Sequence, residues 1–254
     1  MPSIRWNRKW NRYEWPRHGE EWSGQAEYCN QPYEAWKSSI FETFIEPYVS
    51  PSGTSLEIGC GHGRWSPYLI DRSARVVLVD LNPDCVAHCR ERFSDRDHVE
   101  YLVTDGSTIP LPESASVGFV WSYDSFVHME ADVILSYFRE FARLLEPGGT
   151  AVIHHAGRRH AMLRLSFVAK WGRPGKGLYR LVSMKWNTAG GRDGDRGMIS
   201  SRRVRELARE AGLSILFQVD SWGDRGQFDC KRFNDVITGL RKPIGDEPTE
   251  RPGS

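Results

Sequence analysis

The chain has 254 residues, 39% of them hydrophobic and 26% charged, and 34 Lys/Arg against 33 Asp/Glu leave a formal net charge of +1. That length suits one substantial α/β domain with decoration, and the balance of charge gives no global pull toward nucleic acid or membrane. No apolar run approaches the roughly 20 residues of a membrane span, and the opening MPSIRWNRKWNRYEW has no apolar core and does not read as a secretory signal. Five cysteines do not make a disulfide framework, and Cys85 and Cys89 lack the second ligand pair of a zinc site. Reduced thiols and a cytoplasmic location are expected.

In chain order, residues 1–52 read as a Trp-rich, partly helical arm. Trp6, Trp10, Trp15, Trp22 and Trp36 fall here, half of the chain's ten tryptophans. The arm either packs its rings onto the main domain or forms a lid that offers aromatic faces to a ligand. From Pro32 to Tyr48, apolar residues recur at helical spacing until SPSG breaks the run. Strands and helices then alternate. TSLEIG is a short buried strand, and RWSPYLIDRS starts a helix that tolerates Pro67 in its first turn. RVVLVD is a second strand, PDCVAHCRERF a helix, and VEYLV and VGFVWS are further strands. ADVILSYFREFARLL carries a helical apolar stripe. EPGG stops it, and TAVIHH is the fifth strand. SSRRVRELAREAGL is a later helix with a Ser start and a Gly stop. SILFQVDSW and NDVITGLRK read as two closing strands. This alternation predicts a doubly wound α/β fold, a mostly parallel sheet covered on both faces. The main domain spans 53–241, with an insertion of about 156–198 after strand 5, and 242–254 reads as a flexible tail. Between Ala156 and Glu210 stand 14 Lys/Arg, such as Arg158, Arg159, Arg173 and Arg192, against four acids. That run is either a solvated face or part of the substrate side.

LEIGCGHGRW leaves a strand and enters a helix, and its glycines allow a sharp turn and close approach of a ligand. A dinucleotide-binding GxGxxG would need glycine at 64, where Arg64 stands. No GK[ST] follows, so a phosphate-cradling loop is excluded. Asp80 ends the second strand 21 residues after Gly59, placed to accept hydrogen bonds from ribose hydroxyls. Asp105, followed by Gly106 and Ser107, lies just beyond the third strand and can take an adenine amino proton. Acids at the carboxyl ends of consecutive strands, together with Glu57 in the loop strand, suit an adenosine ligand without phosphates.

These segments resemble the class I S-adenosylmethionine-dependent methyltransferases. LEIGCGHG corresponds to their glycine motif, VVLVDLNP to the ribose-binding strand, TDG to the adenine-side motif and LLEPGGTAVI to the link into the fifth strand. The resemblance runs from about Thr54 to Ile153 and resumes at the closing strands. It implies a Rossmann-like sheet of seven strands with the last antiparallel, and S-adenosylmethionine as cofactor. Its implied contacts are Glu57, Gly59, Cys60, Gly61, Gly63 and Trp65 in the loop, Asp80 and Leu81 after strand 2, Asp105, Gly106 and Ser107, and Ser122 and Tyr123 at the end of strand 4.

Methyl transfer to a neutral hydroxyl needs a general base beside the methyl donor, most often a histidine. YDSFVHMEAD is similar to the segment that supplies a catalytic histidine in small-molecule and sugar O-methyltransferases, and His128 matches its second histidine. FVWSYDS lacks the Asn/Asp-Pro-Pro-Tyr signature of relatives that methylate base nitrogens, which disfavours nucleic acid. His154 and His155 end the fifth strand at the same edge, and alternation sends only one of them toward the pocket. Asp124, His128, His155 and Glu130, or His154 in place of its neighbour, could orient a base or hold a divalent cation such as magnesium, which no spacing demands. Trp171, Trp186 and Trp222, with the arm tryptophans, offer faces for a sugar ring. The reading is an O-methyltransferase acting on a hydroxyl of a sugar, glycoside or oligosaccharide, as in polysaccharide biosynthesis. The alternatives are a natural-product or phenolic hydroxyl, nucleic acid or protein docked on the basic segment, and a non-catalytic cofactor-binding partner subunit.

Overall fold

The computed structural model describes residues 26, 29–112, 114–157, 172–175, 196–197, 199–231 and 234–245. The expected lid role of residues 1–25, the stacking roles of Trp171 and Trp186, and Arg158, Arg159 and Arg192 lie outside the described residues.

Helix α1, Tyr33–Ile40, follows Pro32 and runs without a break into one π-helical turn, Phe41–Ile45. Together they bury Trp36, Ile40, Phe41, Phe44 and Ile45 on one side, as the helical spacing predicts. Strand β1, Thr54–Ile58, leads through the glycine loop to a short α2, Ser66–Ile70. Strand β2, Arg75–Asp80, is followed by α3, Pro83–Arg92. The Asn82 side chain caps α3 by accepting from the Asp84 N–H at 2.9 Å, and Pro83 takes the first turn, where its missing N–H costs nothing. After β3, Val99–Val103, and β4, Val117–Ser122, a 3-10 turn at Phe126–His128 precedes α4, Ala131–Leu144. Five side chains of α4 are buried: Ile134, Tyr137, Phe138, Phe141 and Leu144. Each contributes about 1.5–3 kcal/mol of burial before entropy is subtracted.

Strand β5, Leu145–Ala156, differs from its expected start, because Glu146-Pro147-Gly148-Gly149 is already part of the strand. Val117 pairs with Leu145 and Phe119 with Thr150, so β5 bulges there. A Cβ on Gly149 would lie 2.9 Å from the Glu146 carbonyl and 3.1 Å from that of Val117, which explains the glycine. Helix α5, Ser201–Glu210, is capped by Ser200, and β6 is Ser214–Val219. The expected strand SILFQVDSW splits after β6. Its end forms β7, Ser221–Trp222, in a small ribbon with β8, Phe228–Asp229. Strand β9, Asp235–Arg241, closes the sheet.

The seven-stranded sheet runs β3-β2-β1-β4-β5-β9-β6. The first five strands in that order are mutually parallel, and β9 is antiparallel to both β5 and β6. This is the predicted doubly wound, Rossmann-like α/β architecture with an antiparallel last strand. Strand order reverses between β1 and β4, and ligands of such sheets bind outside the carboxyl ends at that point. One core layer packs α4 and α5 on Ile58, Val79, Val120 and Ile153. The other packs α1 and α2 on Val76, Leu78, Trp121 and Val152. Among the described residues no helix is long and apolar enough to cross a membrane.

Candidate functional site

The loop after β1 holds Gly59, Gly61 and Gly63 at φ of 73°, 54° and 83°, a region that side chains disfavour. A Cβ on Gly59 would fall 1.8 Å from Ser125 Oγ, so the turn after β4 packs directly on this loop. The Gly61 N–H donates to Asp80 Oδ2 at 2.9 Å and the Asn82 N–H to Asp80 Oδ1 at 2.8 Å. Asp80 thereby ties the loop to the end of β2. A carboxylate has about four acceptor positions, so these two bonds leave capacity for ribose hydroxyls. Leu81 follows, half-buried.

Glu57 lies under the loop, 2% exposed, and accepts from the Ser66 hydroxyl at 2.6 Å. Burial pushes its carboxyl up to about 8, and the Ser66 hydrogen bond and Arg64 only partly oppose this. The unfolded chain ionises this group near its ordinary value of 4.5, while the folded protein keeps it neutral until about pH 8. Its contribution to stability is therefore full below 4.5 and declines as pH rises from there to about 8. Urea unfolding of the wild type and Glu57→Gln should show the wild type losing ground to the variant over that window. A pH-independent gap would mean that Glu57 ionises normally.

Asp105 forms a tight turn, its Oδ1 accepting from the Ser107 N–H at 2.8 Å, the Ser107 hydroxyl at 3.0 Å and the Thr108 N–H at 2.7 Å. Partial burial pushes this carboxyl up, but the bonds from Thr108 and Ser107 outweigh it and hold it below its ordinary value. Gly106, at φ of 86°, completes the turn. Asp105 stays exposed at the sheet edge.

Other expected contacts are placed differently. The Ser122 hydroxyl is fully buried and donates to the Ile58 carbonyl at 2.7 Å, a clip between β4 and β1 that takes it away from any ligand. Cys60 turns its thiol toward Cys89 on α3 at 4.0 Å, so its backbone is the part near the loop surface. Trp65 and Tyr123 are 2% and 5% exposed and sit with Trp36 in one aromatic cluster. The expectation that Trp36 and Trp222 offer faces to a sugar also fails. Trp36 is fully buried, and Trp222 is 6% exposed with its indole N–H bonded to Ser39.

The two histidines ending β5 are resolved by the sheet. His155 faces the α4–α5 layer, fully buried, its ring nitrogens 2.8 Å from the Ala156 carbonyl and 2.7 Å from Thr238 Oγ1. Burial pushes it down to about 4, the Ala156 carbonyl opposing. The expected role of His155 in the polar cluster is thereby corrected, since both its nitrogens serve the core. His154 faces the other way, stacked on Tyr123 with ring centres 4.2 Å apart. Its Nδ1 is 3.2 Å from Asp124 and its Nε2 is 3.5 Å from Asp235. Asp124, at φ of 63°, is also held by Arg64 Nη2 at 2.6 Å. Burial alone would raise the Asp124 carboxyl, but His154 and Arg64 hold it far below the usual carboxylate range. Asp235 is fully buried and takes a forked pair from Arg196, with Nη2 at 2.6 Å and Nε at 2.8 Å.

Arg64, Asp124, His154, Asp235 and Arg196 thus form a buried polar chain along the carboxyl edge. The sequence reading missed Asp235 and Arg196 and noted Arg64 only as a departure from a motif. The expected metal set of Asp124, His128, Glu130, His154 and His155 is not assembled, and the described residues hold no group of three or more His, Cys, Asp or Glu placed to bind a metal ion. His128 ends the 3-10 turn, half-buried, its N–H donating to the Ser125 carbonyl at 3.1 Å. That position is three residues beyond the Ser125 that covers Gly59.

Residues 56–149 match the family model described as a methyltransferase domain. The fatty-acid O-methyltransferase of Mycolicibacterium smegmatis is 34% identical over 96 residues, 37% of this chain and 34% of that enzyme. The probable ribosomal RNA small subunit methyltransferase A of Methanosarcina mazei is 31% identical over 110 residues, 40% of this chain and 41% of that protein. The chain thus matches less than half of the length of these curated relatives. Among solved structures, the geranyl diphosphate C-methyltransferase of Streptomyces coelicolor, in complex with Mg2+, geranyl-S-thiolodiphosphate and S-adenosyl-L-homocysteine, superposes with a TM-score of 0.61. That match covers 95% of this chain and 99% of that one at 16% identity, a likeness of fold.

Proposed function

Because the chain carries a class I S-adenosylmethionine-dependent methyltransferase domain, we propose that it transfers the cofactor's methyl group to a hydroxyl of a small polar acceptor, a sugar or glycoside. The residues fit the cofactor: a loop with glycine at 59, 61 and 63, each at positive φ, and Asp80 with acceptor capacity to spare at the end of β2. When bound, the cofactor supplies an electrophilic methyl on a sulfonium. Glu57 to Gly61 would lie under the methionyl end, Asp80 would hold the ribose, and the Asp105 turn would face the adenine.

The observation that carries the reading is the packing of the β4 turn on the glycine loop, which supports His128, three residues beyond Ser125, as the base. His155 is spent on the core, and His154 has a carboxylate facing each nitrogen. His128 would take the hydroxyl proton as the methyl transfers in line. A protein working on soluble acceptors fits a cytoplasmic location.

The experiment is a screen with methyl-labelled cofactor of mono- and oligosaccharides, phenols, a fatty acid and ribosomal RNA, with and without chelator. Label in a sugar hydroxyl is the expected result. Label only in the phenol or the fatty acid would move the acceptor class. Likeness to a ribosomal RNA methyltransferase motivates the RNA arm. Label in RNA at a rate that falls steeply with salt would replace the small-molecule reading. Cofactor binding with no transfer to any acceptor class would favour a partner subunit.

A further inference from the structure

Arg64 stands directly after Gly63 and is 6% exposed. Its Nη2 donates to Asp124 at 2.6 Å, and its guanidinium lies 5.3 Å from the Trp65 ring centre and 5.6 Å from that of Tyr123. Its Nη1 is buried with no hydrogen-bond partner. A buried charged donor left unmet is costly, more so than a neutral one. The same deficit recurs beside it. The indole N–H groups of Trp65 and Trp36, whose rings lie 6.1 Å apart and pack on Tyr123 at 5.3 and 5.9 Å, are also buried without partners. The Arg64 Nη1 and the two indole nitrogens are all N–H donors, so what this cluster lacks is an acceptor.

We propose that Arg64 is a carboxylate-binding residue at the glycine loop. With Asp124 on one nitrogen, the planar guanidinium keeps its other nitrogen as a donor for a second carboxylate. The aromatic rings beneath it exclude water, which strengthens such a bond. The carboxylate belongs either to the methionyl end of the cofactor, which rests on the cofactor reading above, or to the acceptor.

Calorimetry on the full chain separates these sources. The ligands are S-adenosylmethionine, its decarboxylated form with the same sulfonium and nucleoside, and benzoate and octanoate added to protein saturated with S-adenosylhomocysteine. If the source is the cofactor, the wild type prefers S-adenosylmethionine over the decarboxylated form by roughly 10- to 100-fold, and Arg64→Met abolishes the preference. If the source is the acceptor, the preference is unchanged in Arg64→Met, while benzoate or octanoate binds the saturated wild type and not the variant. Because the cofactor comparison is a ratio measured on one protein, a loss of folded protein cancels, and in the other arm retained S-adenosylhomocysteine binding shows the variant folded. Arg64→Met/Asp124→Asn, which removes the ion pair as a unit, must give the same ratios. Identical behaviour of wild type and both variants overturns the proposal. A wild type that binds no S-adenosylmethionine overturns the cofactor reading, and the proposal with it.

Discussion

His128→Ala is expected to lower methyl transfer by about 10²- to 10⁴-fold, the usual worth of a positioned general base, while cofactor affinity stays within about twofold. The backbone bonds of the turn, from the His128 N–H to Ser125 and from the Gly197 N–H to the Val127 carbonyl, do not use the imidazole. The side chain is half-buried, so its loss opens no large cavity. A base has a second signature. The ascending limb of the pH–rate profile should vanish in the variant, whereas a structural histidine would shift the melting temperature and leave the limb in place. His154→Ala is the control, since that ring is 1% exposed between two carboxylates and its removal should cost stability along with activity. Full turnover in His128→Ala would sink the assignment and move the base to His154.

The glycine-loop side of this edge was legible because its signals are local. Gly59, Gly61 and Gly63 declare a left-handed loop within five residues, and Asp80 ends an unbroken run of β-branched and aliphatic residues. The buried ion pairs beside it were not legible, because their partners meet only through the sheet. Arg64 and Asp124 are 60 positions apart, and Arg196 and Asp235 are 39 apart. Asp235 reaches the edge only because β9 runs antiparallel, bringing its first residue opposite Ala156 at the end of β5. The choice between His154 and His155 was hidden for the same reason, since alternation fixes that they diverge and not which layer each meets. The tryptophans misled in a different way. Aromatic rings serve cores and ligand platforms alike, and composition does not separate Trp36 in the core from a platform at the surface.

Asp235→Ala tests how much that hidden half matters to the fold. Asp235 is fully buried and Arg196 is 9% exposed, so the substitution takes the forked carboxylate from a buried guanidinium and removes the Asp235 side of His154. Removing one partner of a buried ion pair costs about 3–5 kcal/mol, or roughly 6–20 °C in melting temperature for a chain of this size. The Coulombic attraction of the intact pair is not what is lost, because desolvation of both charges offsets most of it. What destabilises is the uncompensated charge that remains. Arg196→Met/Asp235→Leu, which removes both charges and keeps bulk, should therefore recover most of the loss. A single variant that melts within about 2 °C of the wild type would show Arg196 to be held without Asp235, and the polar chain would then end at His154.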